Sequence, residues 1–286
     1  MVIPLYGDLP LDWTSWIASL LAEGFLVVLV DNNVEAHADW LGPQIQPNQL
    51  PESSGLHLLH NNNLGGVAGG FNRGVQHAIG LGAQWVTLLD QDSRLEPALL
   101  KRLLEPWRQG ATQLLVGPMI WDGMRGQHHG RQPMQRVQQF WITRLLISSG
   151  TTFSAADWPL LGPMFEWLVV DFVDHSWCFR AQARGFQLLQ HSEVTLIQRF
   201  GNAHPNPICR WLGMELYPPK RHFYQLRNLR WLFLQSYLPL DLRCKELLKM
   251  LIKPWLWLLF EAQRVQNLRA VLSALRAPLP AATAWK

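Results

Sequence analysis

FLVVLVDNN, residues 25–33, is a continuous apolar run rich in β-branched valine that stops abruptly at Asp31-Asn32-Asn33. A run that is apolar at every position suits a strand covered on both faces, the usual state of strands in parallel sheets. The same reading extends outwards in both directions. MVIPLYG (1–7), LHLLHNN (56–62), WVTLLD (85–90) and LLVGPMI (114–120) read as further strands. Between them lie helical patterns. LDWTSWIASLLAEG (11–24) aligns Trp13, Trp16, Ile17, Leu20 and Leu21 on one face and can close at Gly24. GGVAGGFNRGVQHAIGLG (65–82) starts glycine-rich and becomes helical, and PALLKRLLEPW (97–107) reads as the next helix. Strand and helix in alternation, with buried strands, predict an α/β domain with a mostly parallel central sheet flanked by helices.

Later segments are more varied. A Pro/Gln-rich stretch (43–52) and a Gln/His/Arg-rich stretch (121–139) read as loops, and ITRLLISSG (142–150) returns to an apolar run. VVDFVDHSWCFRAQARG (169–185) begins extended and becomes a helix stopped by Gly185, and FQLLQHSEVTLIQ (186–198) reads as a pair of strands. From about residue 205 the pattern is helical.

Composition narrows the class. The chain has 286 residues, 48% hydrophobic and 16% charged, so a sizeable core is expected and disorder is not. Its three cysteines, Cys178, Cys209 and Cys244, are widely spaced, which fits a reducing compartment rather than a disulfide framework or a structural zinc. No basic segment followed by an apolar core opens the chain, so no signal peptide is expected. LLKMLIKPWLWLLF (247–260) carries Lys249, Lys253 and Pro254, too short and too charged to span a bilayer. The net charge of +4 hides a split: residues 1–204 carry 12 Lys and Arg against 17 Asp and Glu, and residues 205–286 carry 13 against 4. The second part is therefore a basic, Trp-rich helical appendage. Its cations are interleaved with long apolar side chains, which favours an anionic membrane surface over nucleic acid as partner. Against this, Trp255, Leu256, Trp257 and Leu259 can equally be packing residues.

Several short patterns carry chemistry. Asp90 and Asp92 lie at the exit of a strand, and in an extended chain residues two apart point the same way. Mg²⁺ or Mn²⁺ takes hard oxygen ligands of this kind together with substrate phosphates. The alternative is a helix cap, since Ser93 and Glu96 have capping-box spacing. Asp31, on the same rim, suits a hydrogen bond from a nucleobase or ribose, or is simply a loop aspartate. The glycines of NNNLGGVAGGFNRG (61–74) allow either close backbone approach to phosphates or tight helix packing. Their spacing matches neither G-x-G-x-x-G nor the P-loop. His175 and His191 read as surface or core histidines.

Taken together, VIPLYG, VVLVDNN, NNNLGGVAGGFNRG, WVTLLDQDS, ISSG, VDFVDHSWCFRAQARGF and KRHFYQLRNLRWL, in this order, resemble the family-2 glycosyltransferases. DQDS (90–93), ISSG (147–150) and KRHFYQLRN (220–228) resemble its rhamnosyltransferase subgroup, which acts in lipopolysaccharide and other surface-polysaccharide assembly. The resemblance implies a GT-A fold and inverting, metal-assisted transfer from a nucleoside-diphosphate sugar, dTDP-rhamnose for that subgroup, to a glycan or lipid-linked acceptor. Pro4, Leu5, Tyr6 and Asp31 then match the nucleoside-binding strand ends. Asn63, Asn72 and Gly74 match the segment beside the diphosphate. Asp90 and Asp92 match the metal-binding DxD, with Asp90 also on the donor side. Asp174 matches the general base, with Asp171 in support. The family's Glu after the base is replaced by Ser176, and its downstream His, a metal ligand, by Gln198, which can ligate only through its carbonyl oxygen. A degenerate member that binds a nucleotide sugar or partner without turnover, or a transferase for a different nucleotide sugar, are the alternatives. The expected division is a glycosyltransferase domain over 1–204 and a membrane-proximal region over 205–286. The expected location is the cytoplasm, peripheral at the inner face of the cell membrane.

Overall fold

The computed structural model describes residues 1–9, 13–35, 55–128, 135–199, 201–211 and 214–280. The Pro/Gln-rich stretch expected at 43–52 lies outside them. β1 (Val2–Leu5), β2 (Val27–Asp31) and β3 (Leu56–His60) form a parallel sheet with β2 in the middle, in the register Leu5 opposite Asp31 opposite His60. α1 (Trp13–Ala22) and α2 (Gly66–Gly80) supply the connections' helices. Side-chain alternation explains why β1, and β2 as far as Val30, are apolar throughout. Val2, Val28 and Val30 join the core under α2, whereas Ile3, Leu5, Val27 and Leu29 join the core under α1. Each strand thus feeds two layers. On the α2 side the approach is close: a Cβ on Gly74 would stand 2.3 Å from Val2 Cγ1 and 2.9 Å from Val30 Cγ2.

WVTLLD is shorter as a strand than expected. β4 covers only Trp85–Thr87, and Leu88 and Leu89 continue as a single parallel bridge to Val2, with Leu89 N–H donating to Val2 O at 3.0 Å. That bridge joins the parallel sheet to a mixed one. PALLKRLLEPW breaks into α3 (Pro97–Arg102) and α4 (Glu105–Arg108), because Pro106 has no N–H for a continuing helix and instead sits in a new first turn. β5 (Leu114–Asp122) follows, then β6 (Gln127–His128), β7 (Gln135–Val137) and β8 (Phe140–Ile142), so the stretch read as a loop holds short strands. After β9 (Thr152–Ser154) come the short α5 (Trp158–Leu161) and α6 (Val173–Ala183). The expected strand pair at 186–198 is one strand, β10 (Gln187–Gln198), parallel to β5, whose register shifts between His191 and Thr195. A bulge, not a turn, is what Ser192–Val194 provide. The mixed sheet runs β4-β9-β5-β10-β8-β7. Apart from β5–β10, its pairings are antiparallel.

β11 (Asn202–Ala203), α7 (Pro207–Trp211) and β12 (Glu215–Leu216) lead to three helices, α8 (Pro219–Phe233), α9 (Leu240–Phe260) and α10 (Arg264–Arg276). Trp231 and Leu232 of α8 belong to the core under α2, while Leu226, Trp257, Val271 and Ala274 form a separate small core among the helices. Within it His222 stacks on Trp257 at 4.1 Å and pairs with Glu261 at 2.8 Å. The two readings of the tail tryptophans divide between residues: Trp257 is buried, and Trp255 is 67% exposed. Among the described residues no helix is long and apolar enough to cross a membrane.

Candidate active site

The C-terminal ends of β1, β2 and β4 converge on one rim. At β2, Asp31 is buried and accepts from the N–H and Nδ2 of Asn33, at 3.0 and 2.9 Å, with His60 Nδ1 3.3 Å from its second oxygen. At β1, Pro4 lies beneath α2 at Gly70, Leu5 points into the core, and Tyr6 is exposed. Leu5 therefore reaches the rim only through its backbone, whose oxygen accepts from Asn32 N–H at 2.8 Å.

The 90–93 segment is not extended, as the same-side argument assumed. It turns, with Ser93 N–H donating to Asp90 O at 3.0 Å. Gln91 Nε2 faces the β1 loop and donates to Tyr6 O at 2.8 Å. The turn is closed from below by buried side chains. Asp90 N–H donates to Ser149 Oγ at 3.1 Å, Ser149 to Ser93 Oγ at 2.7 Å, and Ser93 to Gln198 Oε1 at 2.6 Å; Gln198 Nε2 returns to Asp90 Oδ2 at 3.4 Å. Ser93 is thus spent on this ring and caps nothing. The next helix starts at Pro97 without a side-chain cap. Gln198 does stand beside Asp90, but its carbonyl oxygen is engaged by Ser93, so ligation through that oxygen would require the amide to turn over.

Asp174 occupies the first turn of α6, where an anion is favoured. Its Oδ1 accepts from His175 N–H at 2.8 Å and lies 2.9 Å from His175 Nδ1. Burial pushes the Asp174 carboxyl up, but the imidazole and N–H donors of His175 outweigh it and hold the group below the usual range. Asp90 goes the other way. Burial, then the charges of Asp92 and Asp174, push it up to about 7. Two further carboxylates, Asp92 and Asp174, thus stand close enough to Asp90 for their charges to reach it. Sequence reasoning gave His175 no part here.

The turn before α6 is set from the far end of the chain. Val169, Asp171 and Phe172 all have positive φ, at 64°, 60° and 63°, so the chain is not extended there. Non-glycine residues hold such angles only when surrounding contacts enforce them. Asn228 Nδ2 supplies three, to Leu168, Val170 and Asp171 oxygens at 2.8, 2.7 and 3.1 Å. Arg227 adds a bond to Trp167 O at 2.6 Å and lies over the Trp167 ring. Arg221 binds the Asp171 carboxylate. These residues of KRHFYQLRN were missed individually, and only the recurrence of the segment in the resemblance marked them.

Residues expected beside the diphosphate divide. Asn63 sits in the left-handed turn ahead of α2, at φ 50°. Asn72 is buried and uses both ends of its amide on Met164 and Glu166, and Gly74 is against Val2 and Val30, so both act in packing. Ser176 is buried 2.9 Å from the Tyr237 hydroxyl. His191 is buried beside Glu105, at 3.4 Å.

The sequence model described as glycosyl transferase family 2 matches residues 3–176, most of this architecture and its rim. The chain belongs to that family. This glycosyltransferase is 23% identical, over 94% of its length and 90% of the relative's, to the dTDP-rhamnosyl transferase RfbF of Shigella flexneri. Among solved structures it resembles GalNAc-T7 with UDP, GalNAc and Mn²⁺, at a TM-score of 0.56 and 12% identity, over 94% of this chain but 57% of that one. It also resembles S. aureus TarS 1-349 in complex with UDP, at a TM-score of 0.54 and 15% identity, over 96% of this chain and 80% of that one. The fold is GT-A.

The donor set of this glycosyltransferase fits a hard divalent cation. Asp90 and Asp92 offer carboxylate oxygens, and Asp90 is raised by burial first and then by the neighbouring charges of Asp92 and Asp174, all of which a bound cation would offset. Among the described residues no group of three His, Cys, Asp or Glu side chains could hold a metal. A cation here would share its coordination with phosphate oxygens and water, as Mg²⁺ and Mn²⁺ commonly do.

Proposed function

We propose that the chain transfers rhamnose from dTDP-rhamnose, with inversion, onto a hydroxyl of a lipid-linked or surface-polysaccharide acceptor, in the cytoplasm at the inner face of the cell membrane. The donor is supported by the likeness to a dTDP-rhamnosyl transferase along nearly the whole chain. The chemistry is supported by one feature above all, the gathering of Asp92 and Asp174 close enough to Asp90 for both charges to add to the effect of burial on it. Asp174, held below the usual carboxylate range, is unprotonated at neutral pH and so suited to take the acceptor's hydroxyl proton. Asp171 supports the loop that carries it. Asp90 and Asp92 would hold Mg²⁺ or Mn²⁺. Bound there, the ion would stabilise charge on the leaving diphosphate. Asp31, Pro4, Tyr6 and the Leu5 backbone would take the nucleoside, and Asn63 the diphosphate side. Residues 1–204 would carry catalysis, and 205–286 would face the membrane and acceptor; nucleic acid is not a partner.

Nucleotide sugars can be screened for thermal stabilisation, since a bound ligand raises the melting temperature by mass action. Turnover is then followed with Mn²⁺ and with chelator. Stabilisation and Mn²⁺-dependent hydrolysis with dTDP-rhamnose is the expected result. A different preferred sugar would overturn the donor, and no response to any nucleotide sugar would overturn the function. The engagement of Gln198 Oε1 by Ser93 favours one second reading, a binder without turnover. Stabilisation by a nucleotide sugar without hydrolysis would favour it.

A further inference from the structure

α9 and α10 each carry an apolar stripe that nothing in the described structure covers. On α9, Leu248, Leu251, Ile252, Trp255 and Leu259 are 43–67% exposed. Their spacing of three, four, seven and eleven residues from Leu248 sets them on one helix face. On α10, Val265, Leu268, Leu272 and Leu275 are 40–61% exposed at spacings of three, seven and ten. Other faces are spent on the fold: Trp257, opposite the stripe on α9, and Asn267, Val271 and Ala274, beside the stripe on α10, are buried.

Charge at the borders of the stripes has one sign. Lys245 precedes Leu248 by three residues, Arg264 precedes Leu268 by four, Arg269 follows Val265 by four and Arg276 follows Leu272 by four, and all four cations are exposed. The carboxylates of residues 240–280 are Asp241, Glu246 and Glu261. Each is engaged elsewhere: Asp241 with Arg144 at 2.6 Å, Glu246 with Lys249 at 2.6 Å, and Glu261, buried, with His222 at 2.8 Å. The outer surface therefore combines long apolar side chains and cations with no opposing carboxylate left over.

We propose that these two stripes, with Lys245, Arg264, Arg269 and Arg276 at their edges, form a docking surface for an anionic phospholipid bilayer, lying in its interface rather than spanning it. Apolar side chains enter the acyl boundary while cations at the stripe edges meet headgroups, and an indole such as Trp255 is suited to that depth. A second copy of the chain is a poorer occupant, because its identical stripes would bring cation-edged borders together. The proposal deepens the reading above by naming the surface that would meet a lipid-borne acceptor, and it rests on that reading for its purpose.

Flotation with vesicles of phosphatidylglycerol and phosphatidylcholine, against phosphatidylcholine alone, at low and high salt, tests it on the full chain. The wild type should float with the anionic vesicles, with binding falling roughly tenfold or more at high salt. Leu251→Gln with Trp255→Gln should weaken binding to them about tenfold or more. Arg264→Gln with Arg269→Gln should weaken it on anionic vesicles only. Both variants should keep the wild-type melting temperature and donor hydrolysis. Wild type that stays unbound at low salt, or binding that neither variant alters, would overturn the surface. So would a solution dimer that the Leu251–Trp255 variant disperses without any vesicle binding. Failure of donor hydrolysis in the wild type would instead strike the catalytic reading and leave the vesicle result standing.

Discussion

Arg221 grips Asp171 with Nε at 3.0 and 3.3 Å from its two carboxylate oxygens and Nη2 at 2.9 Å from one of them. Three residues later, Asp174 has, among the described residues, only the neighbouring His175 as a side-chain partner and stays 23% exposed. A carboxylate held in a guanidinium fork has its lone pairs committed, whereas one on the open first turn of a helix can meet an acceptor hydroxyl. Asp174→Asn keeps the shape and removes the basicity. Turnover should fall about 10²–10⁴-fold with donor affinity unchanged. Asp171→Asn should cost less turnover and about 1 kcal/mol of stability, because Arg221 is 37% exposed and water screens the pair. Steady-state kinetics and calorimetric donor titration on both variants check this. An Asp171→Asn enzyme that is dead beside an active Asp174→Asn enzyme would reverse the assignment.

Asp92 is exposed, so its side chain does little for the fold. Asp92→Ala should change stability by no more than about 0.5 kcal/mol. If Asp90 and Asp92 hold the divalent ion, the same substitution abolishes turnover and weakens donor binding in Mn²⁺ but not in chelator. Donor affinity measured in both conditions separates the cases. Unchanged turnover rules out a metal role for this pair.

Much of the fold was legible because burial writes a simple code. β2 is apolar from Val27 to Val30 since each of its faces meets a core, and α1 repeats at helical spacing since one face does. The places where reading failed are those where local sequence was overruled. Leu88 and Leu89 look like strand but keep only a single bridge to Val2 before the turn at Asp90. The 169–172 turn looks extended, yet Asn228, some sixty residues away, bends it. At the site, single residues could be nominated, but their partners could not. Nothing in the spacing of Ser93, Ser149 and Gln198 announces that they form one ring, and nothing tells which side of α9 lacks a partner.

Raising of the Asp90 pKa has a consequence for stability. A carboxyl at 3.8 in the unfolded chain and about 7 in the folded one binds its proton more tightly when folded. Its contribution is therefore fully present at acid pH and lost as pH rises through about 7. Replacing it with Asn removes the loss. Metal-free Asp90→Asn should match the wild type below about pH 4, gain over it between pH 4 and 7, and keep a constant lead above that. Melting curves across that range, with chelator present, test the sign. Mn²⁺ at pH 8 should raise the wild-type melting temperature and leave the variant nearly unmoved. A lead that shrinks with rising pH would mean Asp90 is ionised in the folded state throughout.

Gln198 can act on Asp90 in two ways, and they differ in additivity. As the ring stands, Ser93 fixes the Gln198 amide through Oε1, and the amide N–H steadies the Asp90 carboxylate. Ser93→Ala and Gln198→Ala then cut the same chain of contacts at different links. Each should lower Mn²⁺ affinity by about tenfold, the weight of a supporting hydrogen bond near a metal. The double variant should lose no more than the worse single one, because residues acting through one network are coupled. If instead Gln198 turned over to ligate the ion through its oxygen, Gln198→Ala would cost far more than Ser93→Ala. Freeing the amide by Ser93→Ala would then leave metal binding intact or improve it. Ser93 is fully buried, so its loss also costs roughly 1–3 kcal/mol of stability, and the titrations must be made well below the lowered melting point. Mn²⁺ binding followed by electron paramagnetic resonance on the four proteins reads the coupling directly, without relying on turnover. Full additivity of the two losses would remove the ring as the means by which Asp90 is held.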